Sequence, residues 1–148
     1  MPLSTGAPPA RPEPHGRRSR AMSGRRGPDP TPDRLTVAER GSLLLVPVAR
    51  TADVPAALGW WGATNAQLTG GDVTAVLRSW EDRFGASLVS LGVDTMVLQV
   101  ARRPTGAERR TVLAAEHFAF CVDNFEGFTL EDYGRALDRS DRWSFWWD

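Results

Sequence analysis

Ala86-Ser87-Leu88-Val89-Ser90-Leu91-Gly92-Val93-Asp94-Thr95-Met96-Val97-Leu98-Gln99-Val100-Ala101 reads as two strands folded back on each other. Met96, Leu98 and Val100 alternate with Val97 and Gln99, the period of a half-buried strand, and Gly92-Val93-Asp94 supplies the turn. The segments on either side decide what covers this hairpin. Before it, Asp72 to Phe84 sets Val73, Val76, Leu77, Trp80 and Phe84 on one helical stripe, with Arg78, Ser79, Glu81, Asp82 and Arg83 opposite. Gly85 stops that helix where a left-handed residue is needed. After the hairpin, Thr105 and Glu108 have the spacing of a capping box and open a helix expected to run to about Cys121. Leu113, His117, Phe120 and Cys121 share one of its faces, and Val112, Ala115 and Ala119 another. Thr129 and Asp132 open a third helix with Leu130, Tyr133 and Leu137 as its stripe. The chain closes on Trp143, Phe145 and Trp147 alternating with Ser144 and Trp146, the pattern of a final strand.

Toward the N-terminus, Leu43-Leu44-Leu45-Val46-Pro47-Val48 has the length and composition of a strand, with Pro47 placed at an edge or an end. Asp53 and Pro55 suit the start of a short helical turn that ends at Gly59. Trp60-Trp61-Gly62 follows, and adjacent tryptophans in a loop cannot both face one core, so one of them is expected on the surface. The resulting order is β-α-β-β-α-α-β. It describes an α+β fold, a mainly antiparallel sheet of about four strands with helices on one face.

Composition bounds the rest. The 148 residues suffice for one domain of modest core, 41% of them hydrophobic. All eighteen basic residues are arginine, and the formal net charge is zero. Residues 1–40 carry eight arginines against four acids, and residues 41–148 carry ten against fourteen, so the two parts are near +4 and −4. An acidic body gives no support to nucleic-acid binding. Eight of the eleven prolines fall in the first 32 residues, among Gly, Ser and Arg, so residues 1–40 are expected to be a disordered tail and residues 41–148 the single folded domain. Arg17-Arg18 lacks the apolar run that an export signal needs, and Met22 is a second possible start. No segment has the length of a membrane span, which makes a cytoplasmic protein without membrane contact the expectation. A lone cysteine excludes an internal disulfide framework.

Two kinds of chemistry are open to these residues. His117 and Cys121, one helical turn apart, could form a thiolate pair oriented by Asp123 or Asn124, the arrangement of a hydrolase or transferase. The same residue types are more often core groups. They also give at most three nearby ligands, so no metal site is expected, and no glycine motif or lysine calls for a phosphate cofactor. The other chemistry is recognition. Trp60, Trp61, Asn65 and Trp146 are candidate contacts for a protein or small-molecule partner, large rigid side chains being the usual anchors of such faces. A protein-interaction or binding module without a cofactor is the favoured reading, and the Cys121/His117 enzyme its alternative.

Four separated stretches carry a family resemblance. They are Leu58-Gly59-Trp60-Trp61-Gly62-Ala63-Thr64-Asn65, Val76 to Ala86, Ala114 to Asn124 with its Glu116-His117-Phe118-Ala119-Phe120-Cys121 centre, and Trp143-Ser144-Phe145-Trp146-Trp147-Asp148. In this order the chain from about residue 43 to residue 148 resembles the bacterial domain-of-unknown-function family 4253. It departs from that pattern at Val122, where a proline is expected. The resemblance implies a bacterial domain that commonly stands near a chain's C-terminus, and it carries no established activity.

Overall fold

The computed structural model describes residues 40–148, so the expected tail and its arginines lie almost wholly outside the described residues. A 3-10 turn over Thr51–Asp53 runs into the short helix α1 (Val54–Ala57), with Pro55 in its first turn and Gly59 following in the left-handed region. Asp53 does not cap this turn through its side chain; its carboxylate instead accepts from Arg78 at 2.6 Å. Helix α2 covers Gly70–Phe84. It begins two residues before the stripe predicts, because the Thr69 hydroxyl accepts from the Asp72 amide at 3.3 Å while the Asp72 carboxylate accepts from the Thr69 amide at 2.9 Å. This reciprocal cap offsets the poor helix propensity of Gly70 and Gly71. Gly85 ends α2 at φ 61°, a conformation that would strain any side-chain-bearing residue.

Strands β1 (Ala86–Leu91) and β2 (Thr95–Val100) form the expected hairpin. Helix α3 (Ala107–Phe120), a 3-10 turn over Val122–Phe125 and helix α4 (Leu130–Arg139) come next, and β3 (Arg142–Trp146) completes the sheet. The strand order is β1-β2-β3 with both pairings antiparallel; Leu98 stands opposite Leu88 on one side and Trp143 on the other. Thr129 caps α4 as its spacing predicts, its hydroxyl accepting from the Asp132 amide at 3.1 Å. The Thr105–Glu108 capping box does not form. Gly106, at φ 88°, occupies the N-cap of α3, so the Thr105 hydroxyl is one residue too early to cap.

The expected first strand is also absent, and the fold is α-α-β-β-α-α-β around three strands rather than four. Leu43 and Leu45 are 89% and 87% exposed, and the Val48 amide turns back onto the Val46 carbonyl at 2.9 Å. A strand needs a ladder partner, and both sheet edges are occupied by other groups. On β1 the Leu88 amide donates to the Thr51 hydroxyl at 3.1 Å, and the register slips between Leu88 and Ser90. On β3 the outer groups are taken by Asn124.

The core lies between the helices and one face of the sheet, and Trp80 is its junction. From α2 the ring packs on His117 and Phe120 of α3 at centroid distances of 4.6 and 5.0 Å, and on Trp143 and Phe145 of β3 at 5.8 and 5.4 Å. Its indole N–H donates to Glu116 at 2.9 Å. Edge-to-face and offset-stacked pairs of this kind add about 0.5–1.5 kcal/mol each beyond the area they bury.

Candidate functional site

The rare residues of the last third do converge, but in the core. His117 and Cys121 are both completely buried. Their side chains take different partners. His117 Nδ1 lies 3.2 Å from the Tyr133 hydroxyl, whereas the Cys121 thiol donates to the Trp146 carbonyl at 2.9 Å, with Asn124 Oδ1 at 3.5 Å. No hydrogen bond or ion pair joins thiol to imidazole among the described residues.

Asn124 organises the cluster. Its Nδ2 donates to the Ser144 carbonyl at 2.7 Å and to the Tyr133 hydroxyl at 3.2 Å, and its Oδ1 accepts from the Trp146 amide at 3.3 Å. One side-chain amide thus pairs with both the C=O and the N–H of the outer β3 edge, as a neighbouring strand's peptide group would. Asp123 continues the pattern, its carboxylate accepting from the Asp148 amide at 3.3 Å. The Tyr133 oxygen accepts one Asn124 Nδ2 hydrogen, and the imidazole tautomer sets which of hydroxyl and His117 Nδ1 donates in the contact between them. His117 Nε2 has no hydrogen-bond partner among the described residues. The imidazole ring packs among those of Trp80, Trp143 and Phe145.

The electrostatics agree with a structural cluster. Burial, reinforced by the charge of Arg83, pulls the His117 pKa down to about 3, so the ring is neutral near pH 7. Burial pushes the Cys121 thiol up, the direction opposite to that of a nucleophile. In the folded protein Cys121 is accordingly expected to resist an aromatic disulfide reagent at pH 8 over minutes, and to react stoichiometrically once denaturant is added. Labelling of the native protein at the rate of a free thiol would contradict this placement. Glu116 is raised by burial, but hydrogen bonds from Arg83 and Trp80 outweigh that and hold its carboxyl below the usual range. Among the described residues no three His, Cys, Asp or Glu side chains are placed to hold a metal ion. No described helix is long and apolar enough to cross a membrane.

The tryptophan candidates divide in pairs. Trp60 is turned inward, edge-on to Trp147 at 5.5 Å, its N–H donating to the Gly92 carbonyl at 2.8 Å. Gly62 makes that fit possible, since a Cβ there would come within 2.1 Å of the Val93 carbonyl. Their neighbours face solvent: Trp61 is 69% and Trp146 45% exposed, and Asn65 is exposed in the same loop as Trp61.

Trp146 belongs to a shallow groove of about 360 Å³ where α3, the 3-10 turn and the end of β3 meet. Phe118 and Val122, 47% and 54% exposed, form its apolar wall with Phe125 beneath. Asp123, Glu126 and Asp148 are the remaining lining residues, and none of the three forms an ion pair among the described residues. Reading the sequence by its buried stripes passed over Phe118, Val122, Glu126 and Asp148. The available signal was two large apolar residues off the His117–Cys121 stripe, Phe118 near the end of α3 and Val122 at the start of the 3-10 turn that follows it. A larger groove, about 710 Å³, runs between α2 and α3 over Trp80 and Phe120, but those two floor residues are almost wholly buried.

Comparison with curated proteins and with solved structures gave no significant match. A family model described as Domain of unknown function (DUF4253) matches residues 42–148, which is the whole described fold apart from its first two residues. The chain therefore belongs to the DUF4253 family.

Proposed function

We propose that this domain is a protein-interaction module that holds an arginine-bearing, partly apolar polypeptide segment in the groove of Phe118, Val122 and Trp146. The observation that carries the reading is one coincidence in space: three half-exposed apolar side chains beside three carboxylates that have no cation partner among the described residues. Elsewhere in the fold the carboxylates of Asp53, Glu81, Asp82, Glu116, Glu131, Asp132 and Asp138 each meet an arginine, whereas Asp72, Asp94, Glu108 and Asp141 form no ion pair among the described residues and do not line this groove. A guanidinium on a partner would stack on Trp146 or Phe118 while pairing with Glu126, Asp123 or Asp148, a combination that suits arginine better than lysine. Trp61 and Asn65 are assigned a secondary contact, because the Trp60–Trp147 packing ties their loop to the strand end that carries Trp146. The buried Cys121 and His117 serve the fold in this reading.

The test is fluorescence anisotropy with a short labelled peptide of arginine and leucine against the full chain at low ionic strength. Saturable binding is expected, and Trp146→Ser or the pair Glu126→Gln with Asp148→Asn should weaken it at least about fivefold, an effect of the size seen when an aromatic anchor or a close charge pair is lost. Both substitutions are at exposed positions, so the fold should be unchanged by circular dichroism. No saturable binding up to millimolar peptide, or binding indifferent to these substitutions, would overturn the reading.

A further inference from the structure

Resting on that reading, we infer that the groove's occupant in the free protein is a segment of this same chain, Arg17 to Arg26, held in cis. Arg17, Arg18, Arg20, Arg25 and Arg26 lie in this stretch, and no acid interrupts the chain between Glu13 and Asp29. Ala21 and Met22 sit at its centre, giving a flexible apolar contact between two basic ends. That is the complement of the groove, whose apolar wall is Phe118, Val122 and Trp146 and whose charged lining is Asp123, Glu126 and Asp148. The charges of the two parts of the chain, near +4 and near −4, favour the same pairing.

Reach does not limit it. The thirteen residues between Arg26 and Arg40 let those two positions lie up to roughly 45–50 Å apart when the chain is extended. A folded body of about a hundred residues has a radius of gyration of only about 13 Å. Tethering also converts the encounter into an intramolecular one, with an effective concentration in the millimolar range, so even weak pairing fills the groove. The module is then self-occupied. An external arginine-bearing partner gains access by displacing the segment, and salt favours release because the contact is made of exposed charges.

The experiment compares the full chain with a full chain in which these five arginines are replaced by glutamine, using the arginine-leucine peptide as probe. The substituted positions precede the described residues, and loss of a five- to tenfold self-occupancy should lower the stability of the neutralised chain by only about 1–1.4 kcal/mol, which thermal unfolding checks. The neutralised chain is expected to bind the peptide about five- to tenfold more tightly, the factor by which a tethered competitor lowers apparent affinity. In parallel, the Trp146 indole N–H resonance of wild type should move toward its position in the neutralised chain as sodium chloride is raised, while that of the neutralised chain stays put. Equal peptide affinities in the two chains would overturn the self-occupancy and leave the interaction reading standing. Failure of both chains to bind would overturn the interaction reading and the self-occupancy with it.

Discussion

Taking the protein from pH 7 to pH 4 is expected to remove about 3 kcal/mol of folding stability through His117 alone. The folded pKa is about 3, lowered by burial and by Arg83, whereas an imidazole in the unfolded chain titrates near 6.5. Between those two values the unfolded chain holds a proton that the native protein refuses. Stability therefore falls as pH falls across that window, at up to about 1.4 kcal/mol per pH unit, and the loss stops only when the native ring itself protonates. The refusal has a structural cause. Nδ1 is already engaged by the Tyr133 hydroxyl, whose oxygen receives the Asn124 amide, and Nε2 has no hydrogen-bond partner among the described residues. A charged ring would be packed against the rings of Trp80, Trp143 and Phe145, with no carboxylate paired to it among the described residues. Urea unfolding at a series of pH values, with wild type and His117→Gln in parallel, isolates this contribution because every other titrating group is common to both. The glutamine variant should be about 1–2 kcal/mol less stable at pH 7, from lost aromatic packing, and about 1–2 kcal/mol more stable than wild type at pH 4, where only wild type has lost the His117 contribution. Parallel curves for the two proteins would show that His117 does not carry the acid sensitivity.

The same residues show where sequence reading succeeds and where it stops. Helix α2, the β1–β2 hairpin and β3 are legible because each is written in a local period: Val73, Leu77, Trp80 and Phe84 on a helical stripe, Met96, Leu98 and Val100 or Trp143, Phe145 and Trp147 on an alternating one. Leu43 to Val48 carries a composition just as strand-like, yet it forms no strand. Whether such a run pairs depends on a vacant sheet edge, and that vacancy is decided by Thr51 on one side and Asn124 on the other. At the candidate site, the grouping of His117, Cys121, Asp123 and Asn124 is legible from one-turn spacing and a helix end. The direction of their polar atoms is not. Cys121 meets the backbone of Trp146, and Asn124 meets Ser144 and Trp146, partners more than nineteen residues away that only the completed fold brings near. A cluster that looks catalytic by residue type is thereby committed to closing a sheet.

Removal of the Asn124 amide should expose that commitment. In Asn124→Ala the Ser144 carbonyl and the Trp146 amide lose their partner, and the Tyr133 hydroxyl loses its donor. Ser144 and Trp146 can be rehydrated at the surface, so each lost bond costs about 1 kcal/mol rather than the full penalty of a buried orphan. The Tyr133 hydroxyl sits in a more buried position, and its loss adds to the total. The sum is about 2–3 kcal/mol, read as a lower urea midpoint with an unchanged m-value. A second effect separates an edge-capping role from mere packing. With the side-chain amide gone, β3 presents an unpaired C=O and N–H beside the exposed Trp146, and an open edge of this kind pairs with another chain. Asn124→Ala is accordingly expected to self-associate as concentration rises, by sedimentation velocity or light scattering, under conditions where wild type does not. Asn124→Gln, which keeps the amide but moves it by one methylene, should suppress part of that association while recovering little stability. A monomeric alanine variant at all concentrations, with the stability loss intact, would mean that the amide matters for the His117–Tyr133 cluster and not for the edge. The two consequences thus assign the energy of Asn124 to one side of the cluster or to both.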